Sequence, residues 1–214
     1  CGRALQRRTD GRFEVGRLMW SAGLLAPPVG GGLRQVAEPF LHDVYAATLA
    51  TVHLAVRDGN EVLYLERMMG RASVPILSTV GSRLPMHCTG VGKVLLAHAP
   101  REVQDQVFAN LTPITPYTIT QPAVLSRQLE GGVRREGGLA TTVEEMSLGA
   151  CSLAVPIVRQ SDDAVVAAIA VVVPSLKRGR QRLLGACRWL PAASSGCCDP
   201  RAAAAAIAVL SGGF

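Results

Sequence analysis

Aromatic residues are scarce, with four Phe, three Tyr and two Trp in 214 positions. A core made from this chain must be packed from Val, Leu, Ile and Ala, and an apolar content of 49% is ample for one. No apolar run approaches the length of a membrane span. No cationic start leads through an apolar stretch to a cleavage site. These absences set the expectation of a cytoplasmic protein with no membrane partner. The cysteines, Cys1, Cys88, Cys151, Cys187, Cys197 and Cys198, include no C-x-x-C pair, so a disulfide framework is not indicated. The histidines, His42, His53, His87 and His98, show no H-E-x-x-H spacing. Neither a metal nor another cofactor is expected. Paired carboxylates and a P-loop are also missing, which argues against an enzyme.

A large excess of either charge is missing from the middle of the chain. The net charge of +6 sits at the ends. Residues 1–17 carry five Arg against Asp10 and Glu14, and residues 175–201 carry six Lys or Arg against Asp199, which leaves the body at −2. Basic ends on a mildly acidic body favour nucleic-acid contact at an end. Charge alone fits solvated termini equally well.

What is present reads as alternating strands and a few helices. Phe13 and Val15 alternate with Arg12 and Glu14 after an Asp10-Gly11 turn, predicting a short strand. Residues 19–32, with Pro27-Pro28 and Gly30-Gly31-Gly32, read as a loop. From Leu33, the positions Val36, Ala37, Phe40, Leu41, Val44 and Tyr45 have helical spacing, and Pro39 should kink that helix or end a turn. Val52, Leu54 and Val56 alternate with Thr51, His53 and Arg57. A second alternating run follows at 62–67, and Asp58-Gly59 between them marks the clearest hairpin. A third strand is expected at 73–80. Helices are expected over 102–110 and 123–135, the second weakened by Gly131-Gly132. Further strands are expected near 139–145, 151–159 and 164–173. The last is almost wholly apolar and is predicted to be central and buried on both faces. Three strands, helices, then three strands give an α+β class: an antiparallel sheet of about six strands with packed helices. The tail offers a basic amphipathic stretch at 177–189 and an alanine run at 202–206.

The stretch from Leu84 to Ala97, LPMHCTGVGKVLLA, changes character halfway. The residue before Pro85 avoids the helical region, Thr89 is a good N-cap, and Val91, Val94 and Leu95 then follow helical spacing. Gly90 and Gly92 permit close approach of backbone or ligand. Unpaired N–H groups at such a helix start suit a carboxylate. A tight helix entry that binds nothing has the same pattern. His87 and Cys88 point in different directions in an extended loop, so no Cys–His catalytic pair is implied.

Four segments in order, DGRFEVGR at 10–17, HCTGVGKVLLA at 87–97, EEMSLG at 144–149 and LAVPI at 153–157, together resemble the IclR family of bacterial transcription regulators. The likeness spans roughly residues 9–176. It implies a profilin-like or GAF-like effector-binding domain over 48–176. Residues 1–22 would be the remnant of a winged helix-turn-helix, its wing strand bearing the DNA-contacting Arg12 and Arg17. Residues 23–47 would be linker and connecting helix, and 177–214 a divergent basic, Ala-rich tail. The helices expected before the wing are missing from residues 1–9, so the chain reads as cut within its DNA-binding domain. Family members act as dimers and dimers of dimers, which implies a homodimer or homotetramer. The apolar stripe of the 33–45 helix is expected to be open and to promote self-association.

The same resemblance implies an effector pocket between the sheet and the loop-helix. Its lining would be Met86, Thr89, Gly90 and Val91 from the loop, Thr142 with Glu144 or Glu145 before SLG, Cys151 or Ser152 on the next strand, and Ala170 and Val172 on the last. Members that bind small oxo-acids place an acid at the position of Thr142 and serines at those of Ala170 and Val172. This more apolar set implies an organic acid with an aromatic or longer-chain body. A bulky residue at Gly90 is expected to fill the anion's place. Two other functions compete: a small thiol enzyme using Cys88 or Cys151 near a helix N-terminus, and a pure oligomerisation module.

Overall fold

The alternating segments pair through short turns, as their turn residues demand. A computed structural model describes residues 4–25, 32–69, 78–134, 138–159 and 161–175. The chain divides into two units, Cys1–Leu33 and Arg34–Phe214. In the first, β1 (Leu5–Arg7) pairs antiparallel with β2 (Phe13–Val15) around a turn with Gly11 at φ +85°. Asp10 accepts the Arg12 N–H there. The stretch read as loop from residue 19 begins as a helix instead, α1 (Arg17–Leu25). The Pro and Gly residues that suggested a loop lie beyond it, and Leu18, Met19, Trp20 and Leu24 in between oppose no helix. All four are exposed.

The second unit begins with α2 (Leu33–Thr48), which runs through Pro39. Proline removes one backbone hydrogen bond there. Burial of Ala37, Leu41 and Val44 on the same stripe offsets that loss. The stripe expected to be open is therefore covered, and only Val36 of its large apolar residues is exposed. Arg34 ties α2 to the sheet through Glu66 at 2.6 Å.

One sheet of six strands carries this unit, β3 (Thr51–Asp58), β4 (Glu61–Met68), β5 (Arg83–Pro85), β6 (Ala140–Val143), β7 (Ala150–Arg159) and β8 (Ala164–Pro174). The spatial order is β5-β4-β3-β8-β7-β6, and every pair is antiparallel. This is the expected α+β architecture, with the apolar β8 central and Ala167–Val172 buried on both faces. The third strand is the short edge strand β5. The segment expected to form it, 73–80, lies mostly outside the described residues, as does the whole tail from 176.

Between β5 and β6 the chain crosses the sheet through α3 (Gly90–Ala97), α4 (Arg101–Ala109) and α5 (Pro122–Gln128), with a π-turn at Leu129–Arg134. The turn occupies the glycine pair expected to weaken that helix. α3 is buried at every position and lies on β7 and β8. Small residues make that approach possible: Ala154, Ala168 and Ala170 join Val91, Val94 and Leu95 in one core with Tyr64 and Leu125. No helix of the described residues is long and apolar enough to cross a membrane.

Candidate functional site

The loop that feeds α3 is locked before the helix starts. Thr89 is in extended conformation, and its Oγ1 accepts the Gly92 N–H at 3.2 Å and donates to the Pro85 carbonyl at 3.0 Å. The Thr89 carbonyl takes the Lys93 N–H. Among the described residues this leaves the N–H groups of Gly90 and Val91 without a partner, as the first turn of a helix dictates. Both residues border a cavity between α3 and the sheet.

Strand register decides which side chains face it. Thr142, Ser152, Val172 and Thr51 form one row across β6, β7, β8 and β3, and Ala140, Ala154, Ala170 and His53 form the next. Thr89, Gly90, Val91, Thr142, Ser152, Ala170 and Val172 are all brought to the cavity. The Thr142 and Ser152 hydroxyls bond each other at 2.6 Å. Cys151 borders it too, but period-two alternation turns its side chain to the other face, where it is buried.

Two of the expected lining residues stand elsewhere. Met86 is fully buried in the core under α3. Glu144 closes its own turn at φ +58°, where its carboxylate accepts from the Gly149 N–H at 3.2 Å and from the Ser175 hydroxyl. Its neighbour Glu145 points inward and meets Lys93 Nζ at 2.6 Å, while Lys93 also donates to Gln128 Oε1 at 2.8 Å. Burial pushes Glu145 up and Lys93 down, and each opposes the other's shift. Thr115 and Thr118 hydroxyls donate to the Glu144 and Glu145 carbonyls and fix this turn.

The glycines let α3 pack closely on the loop and the sheet. A Cβ on Gly92 would collide with the Met86 carbonyl. A Cβ on Gly90 would lie 2.5 Å from Ser152 Oγ and 3.3 Å from Ala154 Cβ. Bulk at Gly90 would therefore push α3 off the sheet, not simply occupy a ligand's place.

His53, Tyr64, Ser78, Leu84, Met146, Ser147 and Ala150 also line the cavity and were not singled out from the sequence. His53 and Thr51 had read as the polar side of β3, yet both are buried. His53 Nε2 is 2.8 Å from Ser78 Oγ, and its ring meets Tyr64 edge to face at 5.0 Å. Burial, aided by Arg67, pulls the imidazole down to about 3 from an ordinary 6.5. Burial and the nearby Cys88 push the Tyr64 hydroxyl up, against a hydrogen bond with Thr89. The signal for His53 lay in its strand, but only the pairing of β3 with β8 shows which way it faces.

Thiol chemistry does not suit the site. Cys88 is fully buried, with its Sγ 3.4 Å from Met146 Sδ. Burial, with Glu145 adding, pushes its thiol up to about 12 against the pull of Lys93, so it stays protonated at neutral pH. Arg12 and Arg17 are exposed, on the β1–β2 turn and at the start of α1. Among the described residues no group of three or more His, Cys, Asp or Glu could hold a metal ion.

Comparison with known proteins places this geometry. The family "Bacterial transcriptional regulator IclR C-terminal" matches residues 30–194. The Escherichia coli HTH-type transcriptional regulator XynR is 31% identical over 155 residues, 71% of this chain and 60% of XynR. The chain thus spans about three fifths of that relative's length. An IclR homolog from Microbacterium hydrocarbonoxydans, solved in complex with 4-hydroxybenzoate, superposes with a TM-score of 0.73 at 31% identity, covering 96% of this chain and 78% of that one. The inducer-binding domain of an Acinetobacter PobR double mutant, solved with 3-hydroxybenzoic acid, gives 0.62 at 31% identity, covering 70% and 87%. With its motifs, its six-stranded sheet and its α3 loop in place, the chain belongs to the IclR family of bacterial transcriptional regulators, through their C-terminal domain.

Proposed function

We propose that this chain is the ligand-sensing part of a transcription regulator and that its effector is a small organic acid with an aromatic or otherwise apolar body. One observation carries the reading: two unpaired N–H groups at the start of α3 share a cavity with the apolar Val172 and Ala170. The helix dipole and these donors favour a carboxylate, and the Ser152 and Thr142 hydroxyls stand beside them. Two relatives of similar fold were solved with hydroxybenzoic acids, which supports an aromatic acid here. We place the effector domain at 48–176 and assign it to the profilin-like or GAF-like class, because an antiparallel sheet carries its crossover helices against one face. The β1–β2 hairpin, with Arg12 and Arg17, would be the wing of a winged helix-turn-helix that meets DNA phosphates. Assembly as a homodimer or homotetramer is supported by the exposed apolar residues of α1.

A thermal-shift screen tests the effector. At about 100 times its dissociation constant, a ligand of the folded state adds about 2.7 kcal/mol. That raises Tm by roughly 5–11 °C for a domain of this size, at about 2–4 °C per kcal/mol. Aromatic and longer-chain monocarboxylates should give the shift, and pyruvate and glyoxylate should not. A response to the two small oxo-acids alone would show that Thr142, Ala170 and Val172 had been misread.

A further inference from the structure

The cavity has a second polar end. The first is the start of α3 with the Thr142–Ser152 pair on β6 and β7. The second is His53 with Ser78, reached from Ser152 by crossing β8 to β3. Two strand spacings of about 4.8 Å separate the ends. The floor between them is Val172 and Ala170. A cavity polar at both ends and apolar across the middle matches an elongated ligand with a polar group at each end.

Behind the far end, outside the cavity wall itself, lies unmet hydrogen-bonding capacity. Among the described residues, three buried side-chain atoms have no partner: Thr51 Oγ1, Arg67 Nε and Glu145 Oε2. Two of these flank His53. Thr51 lies two positions before it on the same face of β3, and Arg67 is its cross-strand partner on β4. Buried polar groups without partners are costly, and a ligand group nearby is one way to satisfy them. The wall itself offers neutral groups. His53 is held neutral by burial. Arg67 is not part of the lining and gives its Nη1 to the Ser78 carbonyl at 2.5 Å.

Building on the effector reading above, we infer that the His53–Ser78 pair is a specificity site for a hydroxyl at the far end of an aromatic acid whose carboxylate sits at the start of α3. A serine hydroxyl has one donor and two acceptor sites. Ser78 can donate to the imidazole nitrogen and accept from a phenolic O–H at once. A second carboxylate would meet neutral groups on the wall itself, because Arg67 stands behind it and already gives Nη1 to the Ser78 carbonyl. A hydroxyl para to the carboxylate lies at the opposite end of the ring, as the two polar groups lie at opposite ends of the cavity.

Isothermal titration of the full chain with benzoate, 4-hydroxybenzoate and terephthalate tests this. The wild type should bind 4-hydroxybenzoate about tenfold more tightly than benzoate, the size of one well-made hydrogen bond. Ser78→Ala should remove that preference, bringing the two affinities together. His53→Phe should do the same. Should His53→Phe unfold the chain, Ser78→Ala, which removes one oxygen, decides alone. Equal affinity of the wild type for benzoate and 4-hydroxybenzoate overturns the specificity site while the effector reading stands. So does tightest binding of terephthalate, which would make this end an anion site. An unchanged preference in Ser78→Ala also overturns it. Binding of none of the three acids overturns the effector reading itself.

Discussion

Two buried polar clusters share α3, and they are built on opposite terms. Lys93 and Glu145 form a buried ion pair, and Lys93 also donates to the exposed Gln128. Thr142–Ser152 and His53–Ser78 form neutral pairs that border open space. The difference follows from desolvation. A charge taken out of water needs its counter-charge permanently in place, whereas a neutral dipole tolerates a site that is sometimes empty. Charge therefore holds the 144–149 turn to α3, and hydroxyls, an imidazole and backbone N–H groups are left for recognition.

The largest effect should come from breaking the charged cluster. Glu145→Ala leaves a buried ammonium with only Gln128 and should cost about 3–5 kcal/mol in urea denaturation. Replacing both partners, as Lys93→Met with Glu145→Leu, should cost far less than the sum of the single changes. The neutral counterpart, Thr142→Val with Ser152→Ala, should stay within about 1 kcal/mol. If Glu145→Ala costs no more than the neutral double change, the two clusters do not differ in kind.

Most of this architecture could be read from alternation. The strands of β3, β4, β7 and β8 and the start of α3 announced themselves through apolar period and a capping threonine. The helix at Arg17–Leu25 did not, because the breakers that follow it drew attention back over it. The pocket was legible where a motif carried it, at Thr89, Gly90 and Val91. It was not legible where long-range register decides. Nothing local says that Ser152, and not Cys151, faces the cavity, or that Glu145 turns inward while Glu144 turns out. His53 looked like solvent-facing polarity because its strand alternates, and only β8 beside it reverses that reading.

Acid should sharpen the comparison next. The folded-state pKa of His53 lies near 3 against 6.5 unfolded. Between these values the unfolded chain binds the extra proton, so this residue's contribution is complete above pH 6.5 and is lost as pH falls towards about 3. The slope should approach about 1.4 kcal/mol per pH unit. His87 is also lowered by burial and adds in the same direction. Stability measured from pH 7 to 5, above the range of ordinary carboxylates, should fall more steeply in wild type than in His53→Phe. Parallel curves would mean that the imidazole charges freely in the folded state and that the cavity wall is not neutral.

A similarly small effect on stability should come from a residue that serves the backbone and the cavity together. Thr89 caps α3 and braces the Pro85 carbonyl, and it also lines the cavity. Thr89→Ala should cost about 1 kcal/mol, the usual loss for an N-cap. It should also weaken any carboxylate held at Gly90 and Val91, because the freed Gly92 N–H lets the first turn fray and move its donors. Thr89→Ser keeps the oxygen and should restore both. Stability and effector affinity measured on the same two variants therefore separate its roles. A stability loss with unaltered carboxylate affinity would show that the anion does not sit at the start of α3. In that case recognition rests on the hydroxyl pairs of the sheet alone.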